Sequence, residues 1–197
     1  IMMKAMPERT FDVGIAEGHA VTFSAGLAAG GMRPFCNIYS SFSQRAYDQI
    51  IHDVALQKLP VVLCFDRAGL VGEDGATHHG CFDMAAYRSI PGVVIAAPSN
   101  ELELKNMMYS ALQEECGPYI IRYPRGYGKG VQWRETEFSH LEPGKGKRLL
   151  EGRRAAILVA GPFLDEAAAA ADMLGGDIAV YNLRFIKPLD RELVLEA

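Results

Sequence analysis

Short apolar runs separated by helical segments limit the fold of this chain more than any other feature. The apolar runs are 34–39, 61–65, 93–96 and 119–123. Strands of a parallel sheet, which helices cover on both faces, are continuous hydrophobic runs of this length. A helical stripe spans 41–59, and a second helix is expected over 99–115, with Ser99 as its N-cap. The alternation predicts an α/β fold with a doubly wound parallel sheet.

The predicted sheet also indicates where a ligand would bind. In open parallel sheets, ligands lie beyond the carboxyl ends of the strands. The segments after Phe65 and Tyr123 are polar and contain glycine, so they are loops at that edge. We therefore expect the functional residues to lie in these loops.

A change in composition divides the chain. Residues 126–152 are rich in Gly, Lys, Arg and Glu and show little periodicity. A new strand, helix and strand are expected at 155–160, 165–174 and 178–181. We predict one domain over 1–130, a linker over 131–152 and the start of a second α/β domain over 153–197.

Composition excludes several classes of protein. With 49% hydrophobic and 22% charged residues, the chain is expected to be globular. The net charge of -4 and the scattered basic residues argue against binding to nucleic acid. No apolar run approaches the roughly 20 residues that a membrane span needs. The four cysteines form no C-x-x-C motif, so we expect a reducing cytoplasm and no zinc site.

Glu17 is the first candidate for chemistry. It lies within an otherwise apolar segment, 11–23, where burial would favour a carboxyl group that holds or shares a proton. A glutamate at the start of a helix, stabilised by the helix dipole, is the structural alternative.

Several motifs, in this order, resemble the 1-deoxy-D-xylulose-5-phosphate synthase family of transketolase-like thiamine diphosphate enzymes. They are D-V-G-I-A-E at 12–17, Y-S-S-F-S-Q-R-A-Y-D-Q at 39–49, D-R-A-G at 66–69, D-G-A-T-H at 74–78, R-Y-P-R-G at 122–126 and R-F-I-K-P-L-D at 184–190. The resemblance implies a pyrimidine-binding domain followed by the start of a C-terminal domain. It also implies a cytoplasmic homodimer that needs thiamine diphosphate and Mg²⁺.

The resemblance assigns roles to individual residues. Glu17 matches the glutamate that hydrogen-bonds to the N1′ atom of the cofactor's aminopyrimidine ring, and Phe42 matches the aromatic side chain that stacks on that ring. The family condenses pyruvate with glyceraldehyde 3-phosphate and releases carbon dioxide. The positions matched to substrate binding are Tyr39, Arg45, Arg67, Asp74, His78 and Arg125, of which Asp74 and His78 also match groups that assist proton transfer.

Two departures from the family pattern are visible. Position 18 is glycine, where we expect glutamine. No G-D-G motif for Mg²⁺ and the diphosphate is present, so these ligands are expected on an N-terminal domain outside this chain, which begins Ile1-Met2-Met3. Glu73-Asp74-Gly75 with Asn100 imitates the motif, but the first glycine is lacking and Asn100 is expected in the first turn of a helix. We therefore predict no metal ligands in the chain, and we discount the His78-His79 pair.

Other functions remain open from the sequence. Transketolases and the β subunits of 2-oxo-acid dehydrogenases share a glutamate in the same helix. A noncatalytic α/β interaction module would keep the fold without the chemistry. The retention of the matched residues Glu17, Phe42, Arg67, His78 and Arg125 favours an enzyme.

Overall fold

The computed structural model describes residues 2–113 and 117–197. Its strands are β1 Phe35–Tyr39, β2 Val62–Asp66, β3 Val94–Ala96, β4 Tyr119–Arg122, β5 Lys147–Leu150, β6 Ala155–Val159, β7 Ile178–Asn182 and β8 Phe185–Lys187. Its α-helices are α1 Met2–Ala5, α2 Glu17–Ala29, α3 Tyr47–Gln49, α4 Asp83–Arg88, α5 Glu101–Gln113, α6 Leu164–Met173 and α7 Arg191–Glu196. The order of strands and helices confirms the predicted α/β class.

The first sheet has five strands in the order β1-β2-β4-β3-β8. Strands β1, β2, β4 and β3 are parallel, with Phe35 opposite Val62 and Val62 opposite Tyr119. Successive residues of β2 point to opposite faces: Leu63 and Phe65 pack with α2, while Val62 and Cys64 pack with α5. Because β2 is apolar on both faces, helices cover both sides of the sheet, as the sequence predicted.

The segment predicted as one helix over 41–59 is a succession of tighter and wider turns. A 3₁₀ helix spans Ser41–Ala46, α3 follows, and a π-helix spans Ile50–Ala55. The apolar stripe is nevertheless buried, because Ala46, Ile50 and Val54 are inaccessible to solvent. The periodicity therefore identified the buried face correctly and the helix type incorrectly.

The start of α5 also differs from expectation. Asn100 is the cap: its Oδ1 accepts a hydrogen bond from the Glu103 amide at 3.0 Å, and its carbonyl oxygen accepts one from Leu104. Ser99, the predicted cap, donates instead to the Glu103 carboxylate. The predicted end of this helix at 115 falls outside the described residues, as does Cys116.

The predicted linker, 131–152, contains a strand. Residues Lys147–Leu150 pair antiparallel with β7 in a second sheet of order β5-β7-β6, in which β6 and β7 are parallel. All four residues of β5 are exposed, so the edge strand has no apolar pattern from which to predict it. This strand corrects the expectation of an irregular segment.

Strand β8 connects the two sheets. After β7 the chain returns to the first sheet, where β8 pairs antiparallel with β3 and buries Phe185. The carboxylate of Glu103 on α5 binds Asn182 and Arg184, the residues that lead into β8, at 3.0 and 2.7 Å. A buried polar cluster therefore joins the two sheets.

Candidate functional site

The candidate residues follow neighbouring strands of the first sheet. Strands β1, β2 and β4 are adjacent and parallel, so their carboxyl ends lie at one edge. The 3₁₀ helix after β1 carries Phe42 and Arg45, the segment after β2 carries Arg67, Asp74 and His78, and the segment after β4 carries Arg125. Sequence reasoning placed the site at this edge, and the described residues meet there.

Glu17 is the first residue of α2 and is largely buried. Its side chain is 12% exposed, and its Oε1 accepts a hydrogen bond from Arg45 Nη1 at 2.9 Å. Residue 16, which precedes the helix, is alanine and provides no side-chain cap. The Arg45 guanidinium, 57% exposed, also lies over the Phe42 ring with its Cζ 4.5 Å from the ring centroid. One arginine therefore bridges Glu17 and Phe42.

An aromatic cluster forms the middle of the site. The rings of Tyr39 and Phe42 are stacked with centroids 5.6 Å apart, and His78 meets Phe42 edge-on at 4.9 Å. The Arg67 guanidinium lies over Tyr39, with Cζ 3.8 Å from the ring centroid. Thr77 Oγ1 lies 2.9 Å from His78 Nδ1. The cluster therefore places an imidazole against the Phe42 and Tyr39 rings.

Asp74 is the centre of the charged part. Its Oδ2 lies 3.0 Å from Arg67 Nε and 3.2 Å from Arg125 Nε, while Asp66 Oδ2 lies 2.6 Å from Arg67 Nη1. Desolvation opposes the charge of Arg67, but Asp66 and Asp74 outweigh it and raise the pKa of this residue. Two guanidinium groups thus converge on one carboxylate.

The contacts join all eight predicted site residues into one continuous set. It runs from Glu17 through Arg45, Phe42, His78, Tyr39, Arg67 and Asp74 to Arg125. These contacts show proximity, and the role of each residue stays a prediction. The neighbouring His79 accepts a hydrogen bond from the Val71 amide, and within 2–113 and 117–197 no group of three or more His, Cys, Asp or Glu side chains could hold a metal ion.

Sequence reasoning missed Gly80, which closes the Asp74 loop. Its backbone exchanges hydrogen bonds with Gly69 at 2.8 and 2.9 Å. A Cβ at this position would lie 2.4 Å from Ser40 Oγ and 2.5 Å from the Arg67 carbonyl oxygen, so only glycine fits. It also missed the buried ion pair between Arg122 and Asp83. Nothing local in the sequence marks either contact, because each joins residues from different loops.

The family follows from comparison with known proteins. The chain belongs to the transketolase family: residues 2–129 match the family described as transketolase, pyrimidine binding domain, and residues 144–197 match transketolase, C-terminal domain. It is 59% identical to the 1-deoxy-D-xylulose-5-phosphate synthase of Parabacteroides distasonis, over 99% of this chain and 31% of that protein. It is 58% identical to the corresponding synthase of Bacteroides thetaiotaomicron, over 100% of this chain and 31% of that protein.

Solved structures of transketolases also match this chain. A split gene transketolase, described as an inactive β4 tetramer, matches with a TM-score of 0.83 and 31% identity, over 99% of this chain and 63% of that one. The transketolase of Campylobacter jejuni matches with a TM-score of 0.78 and 22% identity, over 95% of this chain and 29% of that one, which supports the fold alone. The chain thus spans about a third of the length of the curated relatives. Among the described residues, no helix is long and apolar enough to cross a bilayer.

Proposed function

We propose that this chain is the pyrimidine-binding part of a 1-deoxy-D-xylulose-5-phosphate synthase. Such an enzyme condenses pyruvate with glyceraldehyde 3-phosphate, with loss of carbon dioxide, and depends on thiamine diphosphate. The observation that carries the proposal is the meeting of Glu17 and Phe42 at one planar, N–H-bearing group, the Arg45 guanidinium. The identity to the synthases, 57 to 59% for the first three relatives, supports this enzyme within the family.

The residues present fit an aminopyrimidine ring. An aminopyrimidine ring requires an aromatic surface to stack on and a hydrogen-bonding partner. The flat Arg45 guanidinium uses both in this site, because it lies over Phe42 and donates an N–H hydrogen bond to the Glu17 carboxylate. When bound, thiamine diphosphate would supply the nucleophilic carbon of the reaction. Glu17 would hold a proton at N1′ of the pyrimidine, and Phe42 would keep the ring in place and exclude water from that face. Arg45, 57% exposed, has room to move aside.

The charged part of the site fits a phosphorylated acceptor. Arg67 and Arg125 both approach Asp74 Oδ2, and a phosphate, which also offers several oxygens to guanidinium forks, would bind to the same pair. His78 contacts the rings of Phe42 and Tyr39, and its imidazole could give or take a proton during addition to the aldehyde. Tyr39 and Arg45 would complete the substrate pocket.

The diphosphate and Mg²⁺ would be held by another domain. We propose that this domain belongs to the same protein, that the protein is a homodimer, and that it is cytoplasmic. The chain spans about 31% of the length of its relatives, so the rest of such a protein has room for this domain. Cys36, Cys64 and Cys81 are free thiols, which fits a reducing compartment.

A transketolase is the second candidate, because the solved structures that match include transketolases. An assay with glyceraldehyde 3-phosphate as the acceptor separates the two activities when pyruvate and a ketose phosphate are compared as donors. Turnover with the ketose phosphate as donor, but not with pyruvate, would favour the transketolase.

Glu17→Gln in the full-length protein tests the proposal. We expect hydrogen exchange at the reactive carbon of bound thiamine diphosphate, and turnover, to slow by about 10²-fold or more, as is typical when an acid-base group is lost. Glu166→Gln, an exposed change on α6, is the matched control and should have no effect. Unchanged exchange in the Glu17 variant would refute the assignment. No exchange in the unmodified protein would instead favour a noncatalytic module.

A further inference from the structure

A buried ion pair lies behind the charged part of the site. Arg122, the last residue of β4, donates from Nε to Asp83 Oδ2 at 2.8 Å and from Nη2 to Asp83 Oδ1 at 3.4 Å. Asp83 Oδ1 also accepts from the Met84 amide at the start of α4. The two side chains are 10% and 2% exposed, so this two-pronged contact is almost completely shielded from water.

The pair joins the two segments that carry the proposed phosphate ligands. Asp83 ends the loop that contains Asp74 and His78, and Arg122 precedes Arg125 by three residues. Across the same two segments, Arg125 lies 3.2 Å from Asp74, but the Arg125 side chain is 42% exposed. One ion pair between these segments is therefore buried, and the other is partly open to solvent on its Arg125 side.

Backbone contacts hold the two segments close to the sheet. The Ala68 amide donates to the Tyr123 carbonyl oxygen at 3.0 Å, and Gly69 and Gly80 exchange hydrogen bonds. The Asp74 loop is thus closed between Gly69 and Gly80, and residues 81–83 pass from this closure into α4. Beyond this closure, the Arg122 fork ties Asp83 to the end of β4, where the Arg125 segment leaves the sheet.

We propose that Arg122 and Asp83 are positioning residues for recognition of the acceptor phosphate. The proposal rests on the proposed function. An exposed ion pair exchanges its partner easily, so a phosphate can replace Asp74 at Arg125. A buried pair does not, because separating it would leave a charge without water or partner. The Arg122–Asp83 pair therefore keeps Arg125 facing the site when the Arg125–Asp74 contact opens.

The test uses Arg122→Lys in the full-length protein. Lysine keeps the charge and removes the planar fork, so the loops lose their fixed direction while the site keeps every group that touches substrate. We expect KM for glyceraldehyde 3-phosphate, and the dissociation constant of the unreactive probe glycerol 3-phosphate, to rise about tenfold, the effect of one weakened charged hydrogen bond. KM for pyruvate and kcat/KM for unphosphorylated glyceraldehyde should change less than about threefold.

Controls separate positioning from general stability. Arg88→Lys, an exposed change on α4, should leave all four constants unchanged. Asp83→Asn keeps one oxygen that can accept from Arg122 Nε, but it removes the negative charge and the second oxygen of the fork. It should therefore reproduce the phosphate-specific loss, and it serves as the test if Arg122→Lys does not fold. Equal losses with both aldehydes, or no loss with either, would overturn the proposal. If the unmodified protein does not use glyceraldehyde 3-phosphate, the proposed function fails, whereas a change in the binding of glycerol 3-phosphate still reports on Arg122.

Discussion

Replacement of Glu103 by alanine should be among the most destabilising single changes in the chain. This carboxylate accepts hydrogen bonds from the Ser99 amide and hydroxyl at 3.0 and 2.7 Å. It also binds Asn182 Nδ2 and Arg184 Nε across the junction between the two sheets. Glu103 and Asn182 are buried, so water cannot take the place of the lost oxygens.

The expected loss follows from the groups left without a partner. Removing one member of a fully buried ion pair costs about 3 to 5 kcal/mol, and because the Arg184 side chain is 20% exposed, we expect the lower end of that range. Small domains have only about 5 to 15 kcal/mol of net stability, so Glu103→Ala should remove a large share of it. A double change with Arg184→Met should cost less than the sum of the two single changes, since the second change removes the stranded charge.

The contribution of Glu103 should also depend on pH. Burial opposes ionisation, but the Ser99 hydrogen bonds and the charge of Arg184 outweigh it and lower the pKa of Glu103 below its ordinary value of 4.5. A lowered pKa in the folded state means that the stabilisation is fully present above 4.5 and is lost as the pH falls through the folded-state pKa. The difference between the unmodified chain and Glu103→Gln should therefore shrink below about pH 4.5.

Urea unfolding at pH 7 and at pH 4 measures both effects. The single tryptophan, Trp133, reports on this region because its carbonyl oxygen accepts a hydrogen bond from Lys105 on α5. Glu166→Ala, on an exposed part of α6, should change stability by less than about 0.5 kcal/mol. If Glu103→Ala cost no more than this control, the cluster would not hold the sheets together as argued.

Three further changes and one binding experiment test other parts of the structure. Gly80→Ala should cost about 1 to 3 kcal/mol in urea unfolding, because its Cβ would overlap Ser40 Oγ; an unchanged midpoint would contradict this. Gly18→Ala should add up to about 1 kcal/mol, since its Cβ would meet Gln49 at an ordinary 3.5 Å; a loss would show a strained backbone. Arg125→Ala in the full-length protein should weaken use of glyceraldehyde 3-phosphate by about 1.5 to 3 kcal/mol and use of an unphosphorylated aldehyde by less; equal losses would mean that Arg125 does not bind phosphate. By calorimetry, the 197-residue chain alone should bind thiamine diphosphate with Mg²⁺ weakly or not at all, and micromolar binding would show that no further domain is needed.

The sequence alone determined the fold class and the edge of the sheet at which the candidate residues meet. Both depend on local patterns: four apolar runs of strand length identified β1 to β4, and the polar residues that follow them had to lie at one edge because the strands are parallel. The stripe that contains Ile50 and Val54 was likewise recognised as buried from its spacing, although its helix type was not. The change of cap from Ser99 to Asn100 shows the limit of such patterns, since two adjacent polar side chains can both cap a helix.

Only the tertiary structure decided which distant residues touch. Strand β5 is exposed along its whole length and exists because β7 provides a partner, and β8 leaves the second sheet to pair with β3. The pairing of Arg45 with Glu17, the close approach of Gly80 to Ser40 and the burial of Arg122 with Asp83 each depend on the register of strands far apart in sequence. A sequence pattern records the preference of each residue for a helix, a strand or the interior. The distances between loops are set by packing, which no single segment encodes.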